Sequence, residues 1–255
     1  MLILALESSA KPASVALCSG GELLGQYFQN NGLTHSRTLL AMAESLLTNL
    51  GISISNIDLI AVSKGPGSFT GVRIGVSAAK GLAWGADKPV CGVSTLEAMA
   101  YQAHEPVELI CAVMDARRNQ VYNALLTWEN AKLTRLSEDR AISLDDLADE
   151  LHRSLGLRDT SLLRRAGLPR EEEEFEVSPY NEILLVGDGT AISRDHLSAA
   201  GIPCRIAPGL MRYQTAYGVA LAAENTSPIS AQELEPCYLR PSQAEREHKQ
   251  KILSR

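Results

Sequence analysis

Residues 2–6 form an unbroken apolar run, a polar turn from Glu7 to Pro12 follows, and residues 13–17 resume as a second apolar strand. Gly20-Gly21 gives a hairpin turn into a third strand over 23–28. From residue 34 the period changes. Leu39, Ala43, Leu46, Leu47 and Leu50 fall on one helical face, Thr34 or Ser36 can cap the start, and Gly51 stops it. A strand over 57–62, a glycine-rich loop, a helix over about 70–85 and a strand near 89–93 complete the first half.

The second half opens in the same way. Residues 107–114 are an apolar run ending in Asp115, residues 116–119 turn, residues 121–127 continue as a strand, and Asn130-Ala131 turns again. A helix over about 143–154, a buried strand at 183–186 and helices near 190–200 and 213–224 follow. Both halves begin with a strand, an acid at its end, a polar turn and two antiparallel strands. That repeat predicts an α/β protein of the actin-like (ASKHA) kind, a duplicated ribonuclease-H-like fold in two α/β lobes. The lobes are expected over 1–105 and 106–241. A charged insertion near 156–180 interrupts the second, and a polar tail over 242–255 ends the chain.

The 255 residues are 45% hydrophobic and 21% charged, which is ordinary for a globular protein with a real core. A net charge of −6 argues against a protein that holds nucleic acid by itself and leaves only a local basic patch for that purpose. Cys18, Cys91, Cys111, Cys204 and Cys237 show no CxxC spacing and read as reduced, mostly buried thiols. The start MLILALESS lacks a basic leader region, and no apolar run approaches the roughly 18 residues of a membrane span. A cytoplasmic protein without membrane contact is expected.

Residues 65–83 read GPGSFTGVRIGVSAAKGLA. Gly65 and Gly67 allow a sharp loop, and Ser68 and Thr70 offer hydroxyls at a helix start. Gly71, Gly75, Ala79 and Ala83 form a row of small residues at four-residue spacing, and Ser77, Gly81 and Gly85 a second row. Interior glycines cost a helix about 1 kcal/mol each relative to alanine, so something must approach this helix closely. A phosphate is one candidate, but the loop lacks the P-loop pattern and misses GxGxxG, because Thr70 stands where the third glycine belongs. A second helix lying in the groove is the other. Leu40 and Met42 make helix 34–50 apolar on more than one face, which favours it.

In an actin-like fold, acids ending the first strand of each half face a nucleotide cleft. Glu7 and Asp115 are the candidates here, with Ser8 beside the first and Gly187 in the Gly187-Asp188-Gly189-Thr190 junction. The same acids serve equally as caps of their own turns. His35, His104, His152, His196 and His248 are isolated, so neither a metal site nor a nucleophilic triad can be read.

GPGSFTGVRIG followed by SAAKGLAW resembles the hallmark of the TsaB (YeaZ) family. The resemblance extends to His35-Ser36, to MDARRNQVY at 114–122, to VGDG at 186–189 and to PCYLRPSQAE at 236–245. It implies a part in making threonylcarbamoyladenosine, the modified adenosine beside the anticodon of ANN-decoding tRNAs. The implied role is a non-catalytic subunit that dimerises with a TsaD-type catalytic subunit, which binds metal through paired histidines. It further implies help in recruiting a TsaE-type ATPase and contact with tRNA only through the complex; the apolar outer face of the helices is also compatible with a homodimer when the partner is absent. No catalytic residue, metal or cofactor of its own is implied; ATP or ADP has a place only at a complex interface.

The resemblance puts the partner interface on residues 34–50 and 70–85, with His35, Leu39, Leu40, Ala43, Leu47, Gly71, Arg73, Gly75, Ala78, Ala79 and Leu82 as contacts. A charge placed at Gly75 is then expected to block the partner without unfolding the chain. Two positions depart from the family pattern: Glu7 replaces a common Asp, weakening an inherited nucleotide cleft, and Ala41 stands where many members have Pro. The alternative reading is an ATP-dependent small-molecule kinase built on Glu7, Asp115 and the glycine junctions. A metallopeptidase is disfavoured by the lack of paired histidines.

Overall fold

The computed structural model describes residues 1–103, 109–155 and 182–240. The expected insertion at 156–180 and tail at 242–255 lie outside the described residues, as do His104 and His248.

Strand β1 (Leu2–Glu7) is central to the first sheet, which is why its apolar run is unbroken. β2 (Ala13–Ser19) pairs with it antiparallel, and β4 (Leu59–Gly65) pairs parallel on its other side. β3 (Glu22–Gln29) and β5 (Val90–Ser94) complete the order β3-β2-β1-β4-β5. Helices α1 (His35–Leu50) and α2 (Phe69–Ala86) cover one face. There Leu39, Ala43, Val72, Val76 and Ala79 close over Leu4, Leu6 and Val62. α1 stops at Gly51, whose φ of 65° needs no Cβ.

The second sheet repeats the plan. Central β6 (Leu109–Asp115) is flanked by β7 (Gln120–Glu129) and β10 (Ile183–Val186). β8 (Lys132–Arg135) and β11 (Cys204–Ile206) sit outside them in the order β11-β10-β6-β7-β8, and β9 (Arg140–Ser143) also pairs with β7. α4 (Leu144–Ser154) and α5 (Thr190–Ala199) pack on one face through Leu147, Leu151 and Leu197. The same strand order in both sheets is the duplicated, actin-like two-lobe fold that the sequence predicts. The short elements α3 (Thr95–Gln102), β9 and β11 were not predicted.

The remaining faces interlock the lobes. α3 follows the first sheet but buries Leu96, Met99 and Ala100 against Ile110, Ala112 and Met114 of the second. α6 (Ala216–Ala223) follows the second sheet but buries Val219 and Ala220 against Ile3, Ala5 and Ala61 of the first. The two helices meet where a Cβ on Gly218 would overlap the Ala98 carbonyl oxygen. Arg135 adds ion pairs to Glu97 of α3 and to Asp139, both at 2.6 Å.

Because that overlap is with backbone rather than a flexible side chain, Gly218→Ala should push α3 and α6 apart. A loss of about 2 kcal/mol is expected, read as a fall in Tm of roughly 4–8 °C. An unchanged Tm would show that the helix pair yields freely.

Candidate functional site

The glycine loop between β4 and α2 is occupied by the chain itself. A Cβ on Gly67 would overlap the Ser9 carbonyl, and one on Gly71 the Ser8 carbonyl. The Ser68 amide donates to the Ser9 oxygen at 2.6 Å, the Ser8 hydroxyl donates to the Gly71 carbonyl at 2.9 Å, and Ser68 Oγ accepts from the Gly71 amide at 3.3 Å. A Cβ on Gly75 would stand 2.5 Å from Ser8 Oγ and 3.3 Å from a Val62 methyl. What comes close to the first small-residue row is therefore the β1–β2 turn, neither a phosphate nor a partner helix.

The corresponding junction of the second lobe is closed in the same manner. A Cβ on Gly187 would overlap the Val113 carbonyl, one on Gly189 would stand 3.0 Å from the Met114 carbonyl carbon, and the Gly189 amide donates to Val113 at 3.2 Å. The acids at the strand ends cap their own turns. Glu7 Oε1 accepts the Ser9 amide at 2.5 Å and Asp115 Oδ1 the Arg117 amide at 2.7 Å.

This corrects the expected nucleotide contacts. Glu7 and Ser8 are buried, 0% and 1% exposed, and neither they nor Gly187 line the cleft between the lobes. Asp115 alone of the four does. The cleft itself encloses about 490 Å³ and is walled by Lys11, Phe69, Arg117, Tyr122, Asp188 and Arg240, among others. Gln214 donates to Asp188 at 3.1 Å, and burial pushes that carboxyl up.

Residues 229–240 form a strap whose last four residues, Cys237 to Arg240, line the cleft. Ile229 and Val90 exchange backbone hydrogen bonds, the Cys237 amide donates to Lys64, and Arg240 Nη1 donates to the Ala116 carbonyl at 2.8 Å, tying the lobes together. Tyr238 stacks on Phe69 at 4.6 Å and accepts from Arg73 Nε at 2.8 Å, while the Arg73 guanidinium lies 3.8 Å over the Phe69 ring. Phe69 and Arg73 are thereby held at the start of α2.

The outer surface of α1 and α2 forms the second feature, a groove of about 570 Å³ bordered by His35, Leu40, Phe69, Arg73, Ile74 and Ala78. His35 Nε2 lies 2.7 Å from the Ala10 carbonyl, which fixes the start of α1. Leu40 is 48% exposed and Trp84, about two turns beyond the groove, is 79% exposed. Leu47, Ala78 and Leu82 are half-buried, and Gly81 and Gly85 face open space.

The expected interface residues thus divide. His35, Leu40, Leu47, Arg73, Ala78 and Leu82 stand at the surface. Ala43, Gly71, Gly75 and Ala79 are buried within the chain's own core, so they cannot serve as outward contacts, and a charge at Gly75 would disrupt the fold rather than report on a partner; Leu39 is buried too but lines the groove. Ile74 and Trp84 escaped the sequence reading, although Trp84 lies one heptad beyond Ser77 on the same side of the helix. Among the described residues no three His, Cys, Asp or Glu side chains come together, and no helix is long and apolar enough to cross a membrane.

A family model described as TsaD, tRNA N6-adenosine threonylcarbamoyltransferase, matches residues 31–232. The tRNA threonylcarbamoyladenosine biosynthesis protein TsaB of Bacillus subtilis (strain 168) is 36% identical over 151 residues, 59% of this chain and 66% of that protein. Its namesake in Escherichia coli (strain K12) is 41% identical over 124 residues, 48% of this chain and 53% of that protein. The chain belongs to the TsaB (YeaZ) branch of this family. The chain spans between half and two thirds of the length of these two TsaB relatives. A solved structure of YeaZ from Pseudomonas aeruginosa has a TM-score of 0.67 at 24% identity, covering 93% of this chain and 99% of its own, and so shares the fold. In this chain the family string GPGSFTGVRIG is the segment that wraps the β1–β2 turn.

Two measurements follow from these contacts. Burial raises the Glu7 carboxyl above its ordinary value of 4.5, against the lowering effect of Ser9 and Ser63. The protonated form is then favoured by folding, so this stabilisation is complete below about pH 4.5 and is lost as pH rises through the higher folded-state value. Glu7→Gln should gain stability over the parent chain in urea titrations as pH is raised from about 4.5 toward 8; a gap that fails to widen would refute the shift. The two glycine rows are separated by paired substitutions. Gly75→Ala should lose about 1–3 kcal/mol, whereas Gly81→Ala, with nothing within 4 Å of its Cβ, should gain up to about 1 kcal/mol. Equal effects at both sites would contradict the assignment of faces.

Proposed function

We propose that this chain is the non-catalytic subunit of the machinery that makes threonylcarbamoyladenosine in tRNA. It docks a TsaD-type catalytic subunit on the outer face of α1 and α2. The observation that carries the reading is that face, where Leu40 and Trp84 are exposed beside an apolar groove and the small residues Ala78, Gly81 and Gly85 let another backbone approach. Relatives named for threonylcarbamoyladenosine biosynthesis supply the process.

The closed glycine junctions and the inward-turned Glu7 support a subunit without its own nucleotide chemistry, since both backbone sites for phosphate are filled by Ser8, Ser9 and Val113. They also weigh against the kinase alternative, which needs Glu7 in the cleft. A TsaE-type ATPase joins through the assembled pair, and without the partner the same α1–α2 face pairs with a second copy.

Leu40→Asp tests the docking face without touching the core. It should weaken binding to the organism's TsaD-type subunit by roughly 30-fold or more, as expected for a buried anchor of an interface, with Tm unchanged. Titration calorimetry that finds parental affinity would place the partner elsewhere.

A further inference from the structure

The proposed docking face leaves a second surface unassigned. Lys11, Arg117 and Arg240 line the interlobe cleft, and Arg118 adjoins Arg117 in the same turn. Among the described residues none of these four cations forms an ion pair. In a chain with a net charge of −6, four unpaired cations at one place run against the composition. The carboxylates beside them are Asp115, engaged by the Arg117 amide, and Asp188, bonded by Gln214.

The turn that carries the two arginines is held in an uncommon shape. Arg117, Arg118 and Asn119 have φ of 66°, 58° and 54°, a left-handed conformation unfavourable for side chains other than glycine. Such conformations persist where the surroundings impose them. Here the Ala116 amide donates to Gln120 at 3.0 Å, the Leu144 amide to Asn119 at 3.1 Å, and Arg240 to the Ala116 carbonyl at 2.8 Å. The outcome is a pair of consecutive arginines exposed at the cleft mouth, with Phe69, Tyr122 and Tyr238 lining the cleft beside them.

The ligand class follows from what is free to bind it. Both glycine junctions are filled by the chain's own carbonyls, so they offer an anion no seat, and the cations of the cleft mouth are the charges left to meet one. Cations spread around a mouth suit a strand whose phosphates repeat along its length better than one nucleotide phosphate seated in a loop. Tyr122, which lines the cleft outside the Phe69–Tyr238–Arg73 stack, offers a stacking surface to an unpaired base.

We propose that the cleft mouth formed by Lys11, Arg117, Arg118 and Arg240 contacts the phosphate backbone of RNA. The proposal rests on the reading of the chain as a subunit of a tRNA-modifying complex. It goes further by giving the chain phosphate contacts of its own instead of contact only through the catalytic partner.

The test uses the chain bound to its TsaD-type partner and a fluorescent unmodified tRNA transcript, with affinity followed between about 50 and 200 mM salt. Arg117→Ala with Arg118→Ala should weaken binding alike for tRNAs of different sequence. It should also flatten the plot of log affinity against log salt by about 0.7–0.9 for each phosphate that is no longer neutralised. Arg117→Lys with Arg118→Lys should retain the slope. An unchanged slope and affinity in the alanine variant, at parental Tm and parental partner affinity, would overturn this proposal and leave the docking role standing. Loss of ATP binding with an intact RNA slope would overturn it in favour of a nucleotide site. A parental complex that binds no tRNA would remove both readings together.

Discussion

The Ser8 and Ser9 carbonyls lie where the Cβ atoms of Gly71 and Gly67 would be, and much of the first lobe is arranged around that contact. It draws the β1–β2 turn into the loop before α2 and satisfies the Ser68 amide at a helix start where an unbonded donor would otherwise face the interior. The same contact sets the rotation of α2. With Gly71 and Gly75 turned to the turn and to Val62, the inward side must be Val72, Val76, Ala79 and Ala83, and the outward side Arg73, Ser77, Gly81 and Trp84. A residue of ordinary size at Gly67 or Gly71 meets backbone, which cannot swing aside as a side chain can.

The second lobe uses the same device, with the end of β6 drawn against Gly187 and Gly189. Its turn then departs from that of the first. Glu7 folds inward to the Ser9 amide and is lost to solvent, while Asp115 stays at the surface and the Arg117–Asn119 turn points arginines outward. Duplication thus gives two equivalent closed junctions, and the turn beside the second displays two arginines at the surface. The strap reinforces the difference, because Arg240 reaches the Ala116 carbonyl and holds the second turn in place.

Strands and long helices were legible because their periods are strong. β1 and β6 are continuous apolar runs, and α1 shows a clean face through Leu39, Ala43 and Leu46. α3 was not legible, since eight residues carry too little periodicity and its apolar positions answer to the opposite lobe's sheet. The two small-residue rows of α2 were visible, but which row is buried depends on the β1–β2 turn, some sixty residues away in sequence. The polar positions Arg73 and Ser77 were the available signal that the Gly81 row faces outward. Glu7 was misplaced for a related reason: a strand-end acid reads as a cleft residue, and nothing in the sequence announces that its carboxylate turns back to the amide two residues on.

Once Gly67, Gly71 and Gly75 are explained by internal contacts, the second row on α2 stands out more sharply. Gly81 and Gly85 have nothing within 4 Å of a would-be Cβ, and each costs the helix about 1 kcal/mol relative to alanine. No backbone conformation requires them, because neither has a positive φ. Packing within the described residues does not require them either. Under the docking role proposed for this face, a partner backbone is what makes use of their small size. Trp84 on the same side of α2, and Leu40 across the groove, are the neighbours expected of a surface that another helix covers. The family string carries two separate instructions. Its first half closes the protein upon its own turn, and its second half presents Gly81 and Trp84 on the outer side of α2.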